Sequence, residues 1–139
     1  MGMYSYLQYE DLHSEYPEEL VKWRERKLEE GDDYWDAIEV DENGYISFEN
    51  LSGFKIISYW YPEFIQFLTE IALFIRGQVC FLYETSEEMA TIHFEDGTFY
   101  IDMGEMCFTK FTATEVENIH GVDVKIPEEL KDLIMVGSL

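Results

Sequence analysis

Residues 62–76 are the segment that most restricts the folds open to this chain. The run P-E-F-I-Q-F-L-T-E-I-A-L-F-I-R begins with proline, contains few polar residues and stands immediately before a glycine. Proline in the first turn and glycine just after the last turn mark the two ends of a helix. Glu63, Gln66 and Glu70 give this helix only a narrow polar stripe. Most of its surface must therefore be buried, and packing against a sheet achieves this.

Patterns typical of β-strands lie on both sides of this helix. An aromatic run at residues 4–9 predicts a first strand, V-C-F-L-Y at 79–83 predicts a second, and residues 106–112 predict a late one. Between the last two, the dipeptide D-G at 96–97 is a strong hairpin signal.

The register of that hairpin follows from its turn. A two-residue turn at 96–97 places Phe94 opposite Phe99 on one face of the sheet. It also places His93 and Tyr100 together on the other face.

Further helices are predicted by their opening residues. P-E-E-L begins a helix at residue 17 that ends at Gly31, and the same letters at 127–130 begin a short final helix. A hydroxyl cap predicts another short helix at 114–120. The order of elements predicts an α+β domain in which helices cover one face of a mostly antiparallel sheet. A ferredoxin-like connectivity is one way to join them.

Acidic residues dominate the charge of the chain. It carries 30 Asp and Glu against 9 Lys and Arg, a formal net charge of -21 over 139 residues. It is also 47% hydrophobic and 17% aromatic, unlike a disordered chain, so residues 1–139 are expected to form a single globular domain with its acids outside. Such a surface repels nucleic acid and anionic lipid and attracts basic proteins. Acidity that serves only solubility or a salty environment is the alternative.

Cysteine usage and the first residues favour a reducing, cytoplasmic setting. Cys80 and Cys107 each lie in an apolar run, without a C-x-x-C pair or a framework of regular spacings. Residues 1–10 lack the positive start and long apolar stretch of a secretory signal, and no apolar run has the length of a membrane span.

The segment E-V-D-E-N-G-Y-I-S-F-E-N at 39–50 partly matches a calcium loop. With Gly44 at the sixth position, acidic or polar residues fall at the first, third, fifth and ninth. The twelfth position, which should supply a bidentate glutamate, is Asn50. Asn43-Gly44 between alternating residues favours a hairpin instead. A metal site in this segment stays the alternative.

Catalytic and cofactor-binding patterns are sparse. His13, His93 and His120 lie in separate segments without metal-binding spacing, and the sequence has no nucleophile elbow, phosphate loop or dinucleotide fingerprint. A dyad of histidine with Cys80 or Cys107 stays open, although buried structural thiols are commoner than catalytic ones. We therefore expect a protein that is not an enzyme and needs no cofactor or metal.

The predicted binding residues are acids in two clusters. Carboxylates on a rigid surface can replace phosphates in the cationic groove of a nucleic-acid-binding protein, and exposed aromatic side chains add anchoring contacts. The first cluster is Asp32, Asp33, Asp36, Glu39, Asp41 and Glu42, with Tyr34 and Trp35 as the anchors. The second is Glu84, Glu87, Glu88, Glu95 and Asp96, on predicted turns.

In composition, size and the opening M-G-M-Y, the chain resembles small acidic anti-defence proteins of phages and mobile elements, including anti-restriction and anti-CRISPR proteins that mimic DNA. Charge and resemblance together favour an inhibitor that docks onto a basic nuclease or other nucleic-acid-binding protein, without itself binding nucleic acid or membrane. An immunity protein that neutralises a basic toxin is a close variant. A small hydrolase or metal-dependent enzyme, and a structural or oligomeric protein, are the alternatives from other classes.

Overall fold

A computed structural model describes residues 5–51, 61–83, 89–104, 108–112, 125–131 and 133. The helices are α1 (Pro17–Glu29), α2 (Asp33–Ala37) and α3 (Pro62–Ile71), with short 3₁₀ helices at Glu49–Leu51 and Glu128–Leu130. The strands are β1 (Ser5–Ser14), β2 (Glu39–Val40), β3 (Ile46–Ser47), β4 (Ile75–Tyr83), β5 (Met89–Glu95), β6 (Thr98–Gly104) and β7 (Phe108–Thr112). None of the described helices has the length and apolar character needed to cross a membrane.

The main sheet has five strands in the order β1-β4-β5-β6-β7, and all its neighbouring strands are antiparallel. β2 and β3 form a separate two-stranded hairpin. This architecture confirms the α+β prediction. The ferredoxin-like connectivity is wrong, because β4 to β7 follow one another as a meander. The described sheet therefore has a single long connection, from β1 to β4, instead of the two helical crossovers of a ferredoxin-like fold.

One face of the main sheet, here called the inner face, packs against the helices. Side chains alternate between the two faces of a strand, and the inner residues in the middle of β4, β5 and β6 are at most 2% exposed. These residues are Val79, Phe81, Ala90, Ile92, Phe94, Phe99 and Ile101. Together with α3 these residues form one core. The register of β5 with β6 is the predicted one, with Phe94 opposite Phe99 and His93 opposite Tyr100.

The opposite side is here called the outer face, and an irregularity in β1 determines which residues of that strand belong to it. Leu7 pairs with Phe81 and Tyr9 with Cys80, so Gln8 is an extra residue in the ladder. Residues three apart normally point to opposite faces of a strand. Because this bulge inserts one residue, Tyr6 and Tyr9 both belong to the outer face.

The predicted long helix ends earlier than its sequence pattern indicates. α3 stops at Ile71, and Ile75 and Arg76 already belong to β4, where they pair with Ser14 and His13 of β1. The apolar residues of this stretch serve a buried strand equally well, so pairing with β1 overrides the helical pattern. Gly77 is consequently a strand residue and not a helix cap.

Glu70 is the only buried acid among the described residues, at 3% exposure. The Trp23 indole Nε1 donates to its Oε1 at 3.0 Å, and Gln66 Nε2 donates to its Oε2 at 2.7 Å. Lys27 Nζ lies 3.8 Å from Oε1. These contacts supply the partners that a buried carboxylate requires, and they join α1 to α3.

We expect Gly77→Ala to destabilise the domain by about 3 kcal/mol or more. Gly77 has a φ of +122°, and a Cβ at this position would collide with the main-chain oxygen of Asp11 in the paired strand. Gly31→Ala is the control, because Gly31 also has a positive φ, +79°, but a Cβ there meets no atom within 4 Å. The control should lose only about 1–2 kcal/mol. Equal losses in urea unfolding would contradict the close β1–β4 approach.

Candidate functional site

The first acidic cluster lies on one continuous stretch, residues 32–42, here called the acidic segment. Asp32 caps α2, and its Oδ1 accepts a hydrogen bond from the Trp35 main-chain N at 3.0 Å. Asp33 and Asp36 are exposed on this short helix. The cap and the helix fix the main chain of these two residues, which presents both carboxylates at the surface.

The aromatic pair of the acidic segment is part of the core. Tyr34 is 3% exposed and Trp35 is fully buried. Both rings contact Phe67 of α3, with centroids 5.7 Å and 5.2 Å away. The prediction that Tyr34 and Trp35 are surface anchors is therefore wrong. Their apolar area is used to attach α2 to α3, which leaves the neighbouring acids outside.

Arg24 of α1 binds the main chain of the acidic segment and not its carboxylates. Its Nε donates to the Trp35 carbonyl at 2.9 Å, and its Nη2 donates to the carbonyls of Asp36 and Ile38 at 3.3 Å and 3.0 Å. A guanidinium at the end of a helix satisfies carbonyls that lack partners within the helix. Arg24 therefore forms no ion pair with Asp33 or Asp36.

The second half of the acidic segment enters the β2–β3 hairpin, which confirms the hairpin prediction. The connecting loop, residues 41–45, is longer than two residues, because β2 ends at Val40 and β3 begins at Ile46. Within it, Asp41 Oδ1 accepts hydrogen bonds from the main-chain N of Asn43 at 2.8 Å and of Tyr45 at 3.0 Å. Glu39 and Glu42 are exposed. Among the described residues, no three His, Cys, Asp or Glu side chains are grouped so that they could hold a metal ion.

Tyr45 is an exposed aromatic residue that the sequence reasoning missed. Its side chain is 53% exposed in the hairpin loop, beside Asp41 and Glu42. The sequence signal for it is its place directly after Asn43-Gly44, because residues of a hairpin loop lie at the surface. Tyr45 lies three residues beyond the end of the acidic segment.

Only part of the second acidic cluster can be placed. Glu95 and Asp96 are exposed at the β5–β6 turn, where Asp96 and Gly97 both have positive φ, as a tight hairpin turn requires. Glu84, Glu87 and Glu88 lie outside the described residues. The described members of this cluster border the outer face of the main sheet.

The outer face carries a histidine that is held by two neighbours. His93 Nε2 lies 3.0 Å from Asp102 Oδ2, and the imidazole stacks on the Tyr100 ring with centroids 4.4 Å apart. Burial raises the pKa of the Tyr100 phenol, and the carboxylates of Glu95 and Asp102 raise it further. The phenol is therefore protonated at neutral pH. Asp102 had no part in the predicted site, because its place beside His93 depends on the sheet register.

His93 and Tyr100 line an open cleft of about 420 Å³ at one end of the outer face. Asp11, Glu15, Glu95 and Asp96 also line it, and among the described residues Arg76 is the one Lys or Arg that does so. Arg76 Nε lies 3.6 Å from Glu15 Oε1. Carboxylates therefore outnumber cations in this cleft.

Cys80 does not provide an accessible nucleophile on this face. It lies in β4 between Tyr9 of β1 and Thr91 of β5, and it is fully buried. A catalytic thiol needs an accessible and electropositive environment. Cys107 lies outside the described residues.

Comparisons with protein-family models, with curated proteins and with solved structures find no match to this chain.

Tyr34 should make the domain less stable at alkaline pH. Burial raises the pKa of the Tyr34 phenol, and Tyr61, Glu63, Asp32 and Asp33 raise it further. The unfolded chain releases this proton near pH 10, whereas the folded chain keeps it. The contribution of Tyr34 to the free energy of unfolding is therefore fully present below about pH 10 and falls as the pH rises above that value. The slope from this one group reaches about 1.4 kcal/mol per pH unit.

Urea unfolding at increasing pH tests this expectation. Tyr34→Phe should show a shallower loss of stability above about pH 10 than the unaltered chain. Tyr45→Phe, which removes a phenol from the exposed hairpin loop, is the matched control and should keep the original slope. Identical slopes for all three proteins would show that burial of Tyr34 does not hold its proton.

Proposed function

We propose that this chain is an acidic protein-binding inhibitor, which occupies the basic surface of a nucleic-acid-binding protein or nuclease in the manner of anti-CRISPR and anti-restriction nucleic-acid mimics. The observation that carries the proposal is a net charge of -21 on a domain with a well-packed core. Among the described residues the acids are surface groups, with Glu70 as the one buried exception.

The described cations leave much of this charge uncompensated. Arg26 pairs with Glu129, Lys27 with Glu30 and Glu70, Arg76 with Glu15, and Lys131 with Glu128. In the described part of the chain, thirteen exposed acids have no ion pair: Glu18, Glu19, Glu25, Glu29, Asp33, Asp36, Glu39, Asp41, Glu42, Glu49, Glu63, Glu95 and Asp96. A basic partner would neutralise such groups on binding.

The inhibitory mechanism is competition for a cationic surface. A strongly negative domain attracts a basic groove over several ångströms, which raises the association rate. Once seated, its carboxylates take the lysine and arginine contacts that phosphates would otherwise make, so nucleic acid is excluded. The rigid placement of the acidic segment lowers the entropy that binding costs. A cytoplasmic location belongs to the same proposal, because the targets are nucleases and nucleic-acid-binding proteins.

An immunity protein against a basic toxin would use the same surface, and the identity of the captured partner separates the two. A small hydrolase is the candidate from another class. The observation in its favour is the His93–Asp102 contact beside the cleft, since a carboxylate that holds one imidazole nitrogen leaves the other as a base. Ester or amide hydrolysis by the purified protein that is lost in His93→Ala would establish that candidate.

A pull-down from host lysate at low and at high salt tests the inhibitor proposal. We expect the tagged protein to retain a basic nuclease or nucleic-acid-binding protein at low salt and to release it as salt rises, because screening weakens surface attraction. Nucleic acid added at low salt should also release the target. A neutral partner whose binding ignores salt would contradict the electrostatic mechanism.

Neutralising the acidic segment should slow association with the captured partner. The variant Asp33→Asn with Asp36→Asn should lower the association rate about three- to tenfold, and surface plasmon resonance measures this directly. Asp32 is left unchanged because it caps α2. The control, Glu25→Gln with Glu29→Gln on α1, makes the same change in net charge at exposed acids. Equal effects of the two variants would show that only total charge matters, and not the acidic segment.

A further inference from the structure

The outer face of the main sheet combines an apolar patch with an acidic cleft. Tyr6 pairs with Leu82 and Leu82 with Met89, so these side chains form one row across three strands. Tyr9 occupies the next row. Tyr6, Tyr9 and Met89 are 40%, 45% and 40% exposed. Single exposed apolar residues are common on proteins, but a contiguous group on one face is typical of an interaction surface.

The cleft lies at the other end of the same face. Asp11, two residues after Tyr9, lines it and belongs to the row that continues through Gln78, His93 and Tyr100. The apolar patch and the cleft are therefore adjacent parts of one surface. The stacked His93 and Tyr100 rings line the cleft, while the carboxylates around them make it negative.

We propose that the outer face is the docking surface for a basic segment of the partner protein, with an arginine side chain of that segment in the cleft. Charge complementarity selects a cationic occupant, because the lining acids outnumber Arg76. Arginine suits the site better than lysine, since its planar guanidinium stacks on aromatic rings and binds carboxylates in pairs. The apolar residues of the segment contact Tyr6, Tyr9 and Met89.

This inference rests on the proposed function, because it identifies where the basic partner is held. The two surfaces then have different kinetic roles. The acidic segment accelerates the approach of the partner through charge, which appears in the association rate. The outer face supplies aromatic contacts and a cleft that the arginine fills, and these contacts lower the dissociation rate.

Two pairs of matched variants test the docking surface. Tyr9→Ser removes an exposed ring from the outer face, and Tyr45→Ser removes one from the hairpin loop, at 45% and 53% exposure. Arg76→Gln removes the cation that lines the cleft, and Arg26→Gln removes an exposed cation that pairs with Glu129 elsewhere. The two variants within each pair have the same net charge. Urea unfolding confirms that all four variants are folded.

The probe is a fluorescent peptide of alternating arginine and alanine, and its affinity is measured by anisotropy at low salt. Tyr9→Ser should weaken binding about tenfold while Tyr45→Ser changes it less than twofold, as expected for an anchor that is lost. Arg76→Gln should lower the dissociation constant of the peptide about threefold more than Arg26→Gln does. The reason is that it removes from the cleft a positive charge that repels the arginine of the peptide. Amide NMR shifts in the unaltered chain should concentrate in β1, β4, β5 and β6.

The outcomes separate this inference from the proposed function. Peptide binding that is equal within each matched pair, with NMR shifts confined to the acidic segment, would overturn the docking surface and leave the acidic inhibitor proposal intact. Absence of peptide binding by the unaltered, folded chain at low salt would overturn both. Unequal effects within both pairs, with shifts on the outer face, would support both.

Discussion

The contacts of the Phe67 ring determine where the charged surfaces of this protein lie. Phe67 meets Tyr34 and Trp35 of α2 and also Phe48, and Phe48 in turn meets Phe94 on the inner face of the sheet at 6.0 Å. Phe67 thus links the acidic segment to the sheet through Phe48, and Phe64 of α3 adds a second contact to Tyr34, at 5.4 Å. Because aromatic burial is the main stabilising contribution of such a cluster, α2 has one way to sit, with its carboxylates directed to water.

The same packing must outweigh electrostatic repulsion. A net charge of -21 opposes the compact state, and the described ion pairs are mostly at the surface, where each contributes little. Stability therefore comes from the core, and Glu70 enters that core only because Trp23 and Gln66 donate hydrogen bonds to it. Aromatic residues therefore hold the fold, while most of the described carboxylates stay in contact with water.

Local signals predicted the parts of the fold that depend on neighbouring residues. The D-G turn gave the register of β5 with β6, and the proline at residue 17 gave the start of α1. Competition between distant segments was not predictable: Ile75 and Arg76 continue a helical pattern but pair with β1. At the candidate site, the exposure of Asp33 and Asp36 follows from their charge. The burial of Tyr34 and Trp35 and the contact of His93 with Asp102 required the tertiary structure.

The extra residue at Gln8 changes which residues of β1 point outward. On its N-terminal side the alternation of outward and inward residues runs in one phase, and on its C-terminal side it runs in the other. A regular strand of the same sequence would send Tyr6 into the core and Leu7 to the surface. A strand without Gln8 would be regular and still present both tyrosines on one side. Which side chains of β1 reach the outer face therefore depends on the number of residues in the strand as well as on the chemistry of those side chains.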